Sequence, residues 1–407
     1  MLRTYQETID WLFQQFPSYQ NIGAKAYKPS LENIEKLCAS FGNPQNELTF
    51  VHIAGTNGKG STSSMLASIL TESNQTVGLF TSPHIQDYTE RIRINGQVIE
   101  QEFVIRLSNE IRAKELDFEP SFFEITFLLA LLYFKENKCS ICVIETGLGG
   151  RLDATNIITP ILSLITNISI EHTQFLGNTI EEIANEKGGI IKPSIPVIIG
   201  ERQPIAEDVF KKIAHEKGSN IFFASDEMIE IPDNFPLLGN YQAYNFNLVH
   251  HAISALKQWY SIEKKAVTNG LQHLAKNTGF YGRMQIIANE PLTIFDVSHN
   301  TAGIKSTLET ICELTKGKLH IVYGTSSDKD IASILKLFPK EANYYFTEFS
   351  NERSAKILQI KNLATNFGLT ATYFTVPKDA LEAAKLNAKS NDTILVFGSF
   401  FLISDFF

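Results

Sequence analysis

Apolar residues in this chain fall in short runs, separated by longer stretches of helical period. The runs Thr49 to Ala54, Thr76 to Thr81, Ser140 to Glu145, Ile161 to Asn167 and Pro196 to Gly200 read as buried strands. Strands alternating with helical stretches predict a parallel sheet with crossover helices. After Arg283 the rhythm restarts with Leu292 to Val297, Leu319 to Gly324, Tyr344 to Thr347 and Thr393 to Gly398, a second and smaller α/β unit. The boundary is expected near Gly279 to Met284, where Gly279-Phe280-Tyr281-Gly282 supplies loop chemistry. No internal repeat or low-complexity tract interrupts the pattern.

The first run ends in Gly55-Thr56-Asn57-Gly58-Lys59-Gly60-Ser61-Thr62, a glycine-broken turn with one lysine and two hydroxyls. A triphosphate cradle needs these parts: glycines that let backbone N–H groups approach, a lysine for the β and γ oxygens, and a hydroxyl near magnesium. The fit to the usual phosphate-loop pattern is imperfect, because Ile53 stands where a glycine is wanted and Gly60 where the hydroxyl should follow Lys59.

Other strand ends carry chemistry too. In an open parallel sheet, ligands collect beyond the carboxyl ends of the strands. The second run leads into Ser82-Pro83-His84, the third ends at Glu145 before Gly147 to Asp153, and the fourth leads to Glu171-His172. Each has a bland reading as turn, cap or surface histidine. Together they offer a hydroxyl, a carboxylate and an imidazole as magnesium ligands beside a triphosphate. Ser121-Phe122-Phe123-Glu124 reads as a capping box opening an apolar helix. Cys139-Ser140-Ile141-Cys142 has redox or zinc spacing, but it lies in a strand run with no second pair, so both thiols are expected to be structural.

Composition narrows the class. With 407 residues, 43% hydrophobic and 20% charged, the chain has room for two globular domains. Its net charge of -8 argues against nucleic-acid or membrane partners. The start, Met1 to Glu7, lacks a signal-peptide core, and no apolar run approaches the ~20 residues of a membrane span. A cytoplasmic monomer acting on small molecules is expected.

These motifs, taken with Thr81-Ser82-Pro83-His84, Tyr88-Thr89-Glu90-Arg91-Ile92-Arg93, Glu145 to Asn156, Glu186-Lys187-Gly188-Gly189-Ile190, Gly282-Arg283, Phe295 to Asn300, Asp328-Lys329-Asp330 and Gly398-Ser399-Phe400, resemble the folylpolyglutamate synthase and dihydrofolate synthase group of the Mur ligase superfamily. The resemblance spans nearly the whole chain. It implies a P-loop-containing doubly wound ATP-binding domain at 1–283 and a Rossmann-like ligase domain at 284–407 that closes over it. The implied reaction is ATP-dependent: a dihydropteroate or reduced-folate carboxylate is phosphorylated, and the amino group of L-glutamate attacks the acyl phosphate.

By resemblance, Thr56, Asn57, Gly58, Lys59, Gly60 and Ser61 hold the nucleotide phosphates, with Asn245, Arg283 and Asp296 also reaching the nucleotide. Two magnesium ions are implied, the first on Ser82 and Glu145, the second on His172 and a carbamylated Lys187. His299 and Asn300 lie in a loop that closes on the site. The pterin side is implied at Ser121, Phe122, Phe123 and Glu124 and at Leu152, Asp153 and Ala154, where aromatic rings and a carboxylate suit a flat heterocycle.

The chain departs from the family pattern at Glu171, usually aspartate, at Gly188, often alanine, at Tyr241, usually histidine, and at Phe401, where a more polar ring is common. Tyr241 bears on the adenine side. A Mur-type UDP-muramyl amino-acid ligase is the alternative within the superfamily, disfavoured by the short stretch before Gly55. A nucleotide-binding module without catalysis is the alternative from another class, disfavoured by the full set of metal and phosphate residues.

Overall fold

The computed structural model describes residues 1–16, 30–232 and 235–407. Its strands are β1 Phe50–Ala54, β2 Val77–Phe80, β3 Ile92–Ile94, β4 Gln97–Val98, β5 Ile141–Glu145, β6 Leu162–Ile165, β7 Val197–Ile199, β8 Ile221–Phe223, β9 Gln285–Asn289, β10 Leu292–Asp296, β11 Leu319–Tyr323, β12 Asn343–Thr347, β13 Ala371–Phe374 and β14 Thr393–Phe397. The chain divides into two compact units, Met1–Pro236 with Gln242–Phe280, and Leu237–Tyr241 with Tyr281–Phe407. The division falls at Phe280/Tyr281 rather than after Arg283, and Leu237–Tyr241 joins the second unit because Leu238 and Tyr241 pack against its core.

The first unit holds a sheet of order β4-β3-β2-β5-β1-β6-β7-β8. From β2 to β8 the neighbours are parallel, as the run-and-helix rhythm requires. β1 is buried along its whole length and lies where crossovers depart to either side, β5 and β2 one way and β6 to β8 the other. Such a switch point opens a crevice between loops at the carboxyl ends.

β3 and β4 are an antiparallel addition, turned through Asn95 and Gly96, both with positive φ. That is the Asn-Gly hairpin chemistry, and its exposed β4 leaves no apolar run to read. β2 carries Gly78, paired with Cys142 of β5 and Ile94 of β3.

The core of this unit gathers Phe50, Phe80 and Ile144 against Phe127, Leu131 and Phe134 of the helix Phe122–Glu136, which is apolar almost all round. A separate cluster sets Ala54, Ile165 and Ile199 against Ile183 and Phe210, from the helices Ile180–Gly188 and Pro204–Lys217. The helix Lys59–Glu72 packs on β1, β2 and β5. Cys139 lies in the turn before β5, buried like Cys142, and both are free.

The second unit has a sheet of order β13-β12-β11-β14-β10-β9, parallel except for β9, which runs antiparallel to β10. Its core is built on Ile294, Ile321, Phe346 and Phe397. Among the described residues no helix is long and apolar enough to cross a membrane.

A Cβ on Gly78 would sit 2.8 Å from the Phe134 ring. Gly78→Val is therefore expected to lower stability by about 1–3 kcal/mol through overpacking. A denaturant midpoint equal to that of the parent, at unchanged slope, would contradict this packing.

Candidate active site

The phosphate loop is shaped by its glycines and tied to the end of β6. Gly55 has φ +145, and a Cβ there would lie 1.8 Å from the Thr166 hydroxyl oxygen. That hydroxyl donates to the Asn57 carbonyl at 2.6 Å. The Thr56 amide donates to the Asn167 carbonyl at 2.8 Å and the Asn57 amide to Asn167 Oδ1 at 3.1 Å. Asn167 in turn donates to Glu201 at 2.8 Å, and the Ser169 amide donates to the Thr56 hydroxyl at 2.9 Å. Gly58 has φ +85 and opens the helix Lys59–Glu72; a Cβ on it would lie 2.1 Å from Asn245 Oδ1. Asn245 donates to Gln242 at 2.9 Å, and Gln242 donates to the Ser61 hydroxyl at 3.3 Å. Thr56 to Ser61 and Asn245 are thus brought together, at a helix N-terminus that favours anions.

Two lysines converge on one carbonyl. Lys59 Nζ donates to Gly55 O at 3.0 Å and Thr56 O at 3.1 Å, and Lys187 Nζ donates to Gly55 O at 2.7 Å. Lys187, in the last turn of the helix Ile180–Gly188, is only 4% exposed. Burial, reinforced by the charge of Lys59, brings its pKa from 10.5 down to about 7, against the opposing pull of Glu171 and Asp153.

Glu145 ends β5 at 3% exposure, and its Oε2 accepts the Ser82 amide at 3.3 Å. His172, with φ 51, precedes the short helix Thr173–Leu176, and its Nε2 lies 3.7 Å from Glu171 Oε1. Ser82 and Glu145 therefore meet on one side of β1, while Glu171 and His172 follow β6 on the other. Among the described residues no three His, Cys, Asp or Glu side chains converge as a ready-made metal cage. A hydroxyl, a carboxylate and an imidazole around a phosphate loop still fit magnesium, which takes few protein ligands and completes its shell with phosphate oxygens and water.

The residues expected on the pterin side divide by burial. Ser121 and Glu124 form the capping box, with the Ser121 amide donating to Glu124 at 2.5 Å and the Glu124 amide to Ser121 at 3.2 Å. Phe122 is core, stacked on Phe13 at 4.5 Å between ring centroids, while Phe123 stays half-buried over Gly147. Asp153 is buried: its Oδ2 accepts the Leu148 amide, and its Oδ1 accepts the Thr155 amide and hydroxyl. Burial holds its pKa above the ordinary value despite those donors. Thr155 also meets His52 Nε2 at 2.8 Å in the middle of β1. Ala154 is buried and Leu152 half-buried, so the Asp153 carboxylate organises the loop on which both sit.

In the second unit, Asp296 ends β10 and accepts the amides of Met284 and Ser298 and the hydroxyl of Thr307. His299 Nδ1 donates to the Val297 carbonyl at 3.0 Å. The Phe400 ring lies 5.7 Å from His299 and 5.8 Å from the Arg283 guanidinium, so these three form one group. Asn300 caps the helix Thr301–Leu314. Tyr241 packs on the apolar core of this unit.

Thr166, Asn167 and Gln242, which brace the phosphate loop, had no assigned role in the sequence pattern. For Thr166 and Asn167 the one sequence signal is position, as the polar residues that close the apolar run of β6.

Residues 53–230 match the Mur ligase middle domain and residues 282–400 the Mur ligase glutamate ligase domain. The chain is 31% identical to dihydrofolate synthase/folylpolyglutamate synthase of Bacillus subtilis, over 100% of this chain and 99% of that protein. The structure of E. coli FolC in complex with DHPP and ADP superimposes with a TM-score of 0.85 at 28% identity, covering 99% of this chain and 96% of that one. The bifunctional folylpolyglutamate synthase/dihydrofolate synthase of Yersinia pestis, complexed with AMPPNP and Mn ion, gives a TM-score of 0.83 at 27% identity over 99% and 97% of the two chains. With a phosphate loop at the switch point of its first sheet and this likeness running from end to end, the chain belongs to the folylpolyglutamate synthase/dihydrofolate synthase family of Mur-type ligases.

Proposed function

We propose that this chain is an ATP-dependent amide ligase that joins L-glutamate to the carboxylate of a folate-type acceptor, both dihydropteroate and reduced folates. The observation that carries this reading is the row of groups at adjacent strand ends, Lys59 after β1, Glu145 on β5 and Ser82 after β2, in a chain matched over its whole length by enzymes of that name.

A carboxylate is a poor electrophile, and ATP supplies a leaving group. An acceptor carboxylate oxygen attacks the γ-phosphorus, the bond to the β-phosphate oxygen breaks, and ADP leaves. The glutamate nitrogen then attacks the acyl carbon: a C–N bond forms, the C–O bond to phosphate breaks, inorganic phosphate departs and the amine loses a proton to solvent. The protein's part is positioning and charge neutralisation. Lys59 exchanges its own loop carbonyls for phosphate oxygens, Ser61 and the loop amides of Thr56 to Gly60 cradle them, and Asn245 borders the nucleotide.

Ser82 and Glu145 would hold one magnesium ion, and His172 with Lys187 a second. Magnesium, when bound, neutralises phosphate charge. Lys187 suits that place only as its carbamate, since an ammonium would repel the metal. Its buried, low-pKa amine is neutral enough at neutral pH to react with carbon dioxide, giving the carbamate and a proton. In the second unit, Arg283 and Asp296 serve the nucleotide, and His299 is a catalytic group. Ser121, Phe123, Leu152 and Ala154 serve the pterin, with Phe122, Glu124 and Asp153 supporting them from the core. We take the protein to act as a cytoplasmic monomer.

ADP release by purified protein should require glutamate together with dihydropteroate or tetrahydrofolate, and a muramyl nucleotide should not substitute. Glutamate-dependent turnover with the muramyl nucleotide alone would overturn the reading. In the same assay Lys59→Ala and Glu145→Gln are expected to lose on the order of 100-fold or more in turnover, with unchanged thermal midpoints. Near-parental turnover in both would remove the strand-end site.

Lys187 gives a pH signature. Its folded pKa is depressed, so the cost of burying a charge is complete below about 7 and fades as pH rises from there towards the ordinary 10.5; across that window this group makes stability rise with pH. Carbamate occupancy, read by 13C NMR with labelled bicarbonate, should rise with pH and bicarbonate around neutrality, and a short carboxylic acid should partly rescue Lys187→Ala. An unmodified lysine in fully active enzyme would end the carbamate assignment.

A further inference from the structure

The stretch Tyr88 to Arg91 has no part in the site described so far, yet it builds the loop after β2. Glu90 accepts the amides of Ile85, Gln86 and Asp87 at 2.8, 3.0 and 3.0 Å and so fixes the backbone that carries His84. Arg91, 3% exposed, fixes the ring: its Nε donates to His84 Nδ1 at 2.7 Å. The Arg91 guanidinium lies over the Phe122 ring at 5.4 Å, and the His84 ring meets Tyr88 edge-on at 6.5 Å.

A guanidinium N–H has only a donor to offer, so Nδ1 must carry the lone pair and Nε2 the proton. His84 is thereby held as a one-way donor. Its ring is partly open to solvent, and among the described residues its Nε2 has no hydrogen-bond partner.

The order of the strand ends sets which groups lie beside this donor. Along the sheet edge the order is β1 with Lys59, β5 with Glu145, then β2 with Ser82 and His84, each step about 4.8 Å. Beyond His84 come Tyr88 and Phe122, the latter opening the helix whose first turn serves the pterin. An acceptor that spans from that aromatic end to the phosphates must bring its reacting carboxyl past His84.

We propose that His84 Nε2–H hydrogen-bonds an oxygen of the acceptor's reacting carboxyl, the oxygen that becomes the oxyanion when glutamate attacks, and that Arg91 is the positioning residue that keeps His84 in this donor state. The inference rests on the ligase reading above. A phosphate oxygen of ATP has the same acceptor chemistry, and the affinity for a non-hydrolysable ATP analogue separates the two.

The test compares the parent with His84→Leu, His84→Gln, Arg91→Met and the double variant His84→Leu/Arg91→Met, in glutamate-dependent ADP release with dihydropteroate and in ATP-analogue binding by calorimetry. His84→Leu is expected to lose about 100-fold or more in kcat, with the analogue's Kd unchanged. His84→Gln, whose amide can accept from Arg91 and donate with its NH2, recovers most of that loss. Arg91→Met lowers kcat alone but adds nothing in the His84→Leu background, the non-additivity of groups acting as one unit. Parental kcat in His84→Leu overturns the proposal, as does a parallel loss of analogue affinity, which would make His84 a phosphate contact. Additive losses in the double variant overturn the role of Arg91, and if Arg91→Met fails to fold, the His84→Leu and His84→Gln pair still decides the donor. Absence of glutamate-dependent turnover in the parent defeats the ligase reading itself and this inference with it.

Discussion

The close approach of Gly55 to Thr166 is the constraint on which the first unit's site depends. No side chain fits at Gly55, where a Cβ would collide with the Thr166 hydroxyl at 1.8 Å. The missing side chain lets the chain turn at the end of β1 so that Thr166 and Asn167 of the neighbouring strand end can hold the carbonyl and amide of Asn57. The same turn puts the Gly55 carbonyl within reach of both Lys59 and Lys187. A loop of free glycines would have to be ordered by its ligand; this one is ordered by its neighbours, which lowers the conformational cost of binding.

Electrostatics follow from that geometry. Burial, reinforced by the charge of Lys59 on the same carbonyl, brings the pKa of Lys187 from 10.5 down to about 7. Either an arriving polyanion or conversion of one amine to an anion relieves the conflict. The pairing of Glu145 with the Ser82 amide across β5 and β2 places negative charge one strand away from the lysines.

Much of this could be read from the chain alone. The apolar runs gave β1, β2, β5, β6, β7 and four strands of the second unit because each is buried and has an apolar signature. β4 and β9 escaped because they are largely exposed, β8 and β13 because they are partly exposed edge strands, and β3 because it is a short strand in a charged motif. The phosphate-loop residues and Glu145 were legible because glycine spacing and a carboxylate at a strand end are local signals. Asn167, Gln242 and the Arg91–His84 pair were not, since their meaning lies in contacts between distant elements. The Asp153 carboxylate was legible as a residue type, but its acceptance of the Leu148 and Thr155 amides of its own loop was not.

The most direct test of this account is the affinity of Gly55→Ala for a non-hydrolysable ATP analogue with magnesium, with circular dichroism to establish that the variant is folded. A methyl at this position must displace Thr166 and release Asn57, so the account predicts a folded protein whose Kd for the analogue is weakened by about 100-fold or more, the cost of about 3 kcal/mol of backbone strain and lost contacts. Affinity equal to that of the parent in a folded Gly55→Ala variant would contradict it.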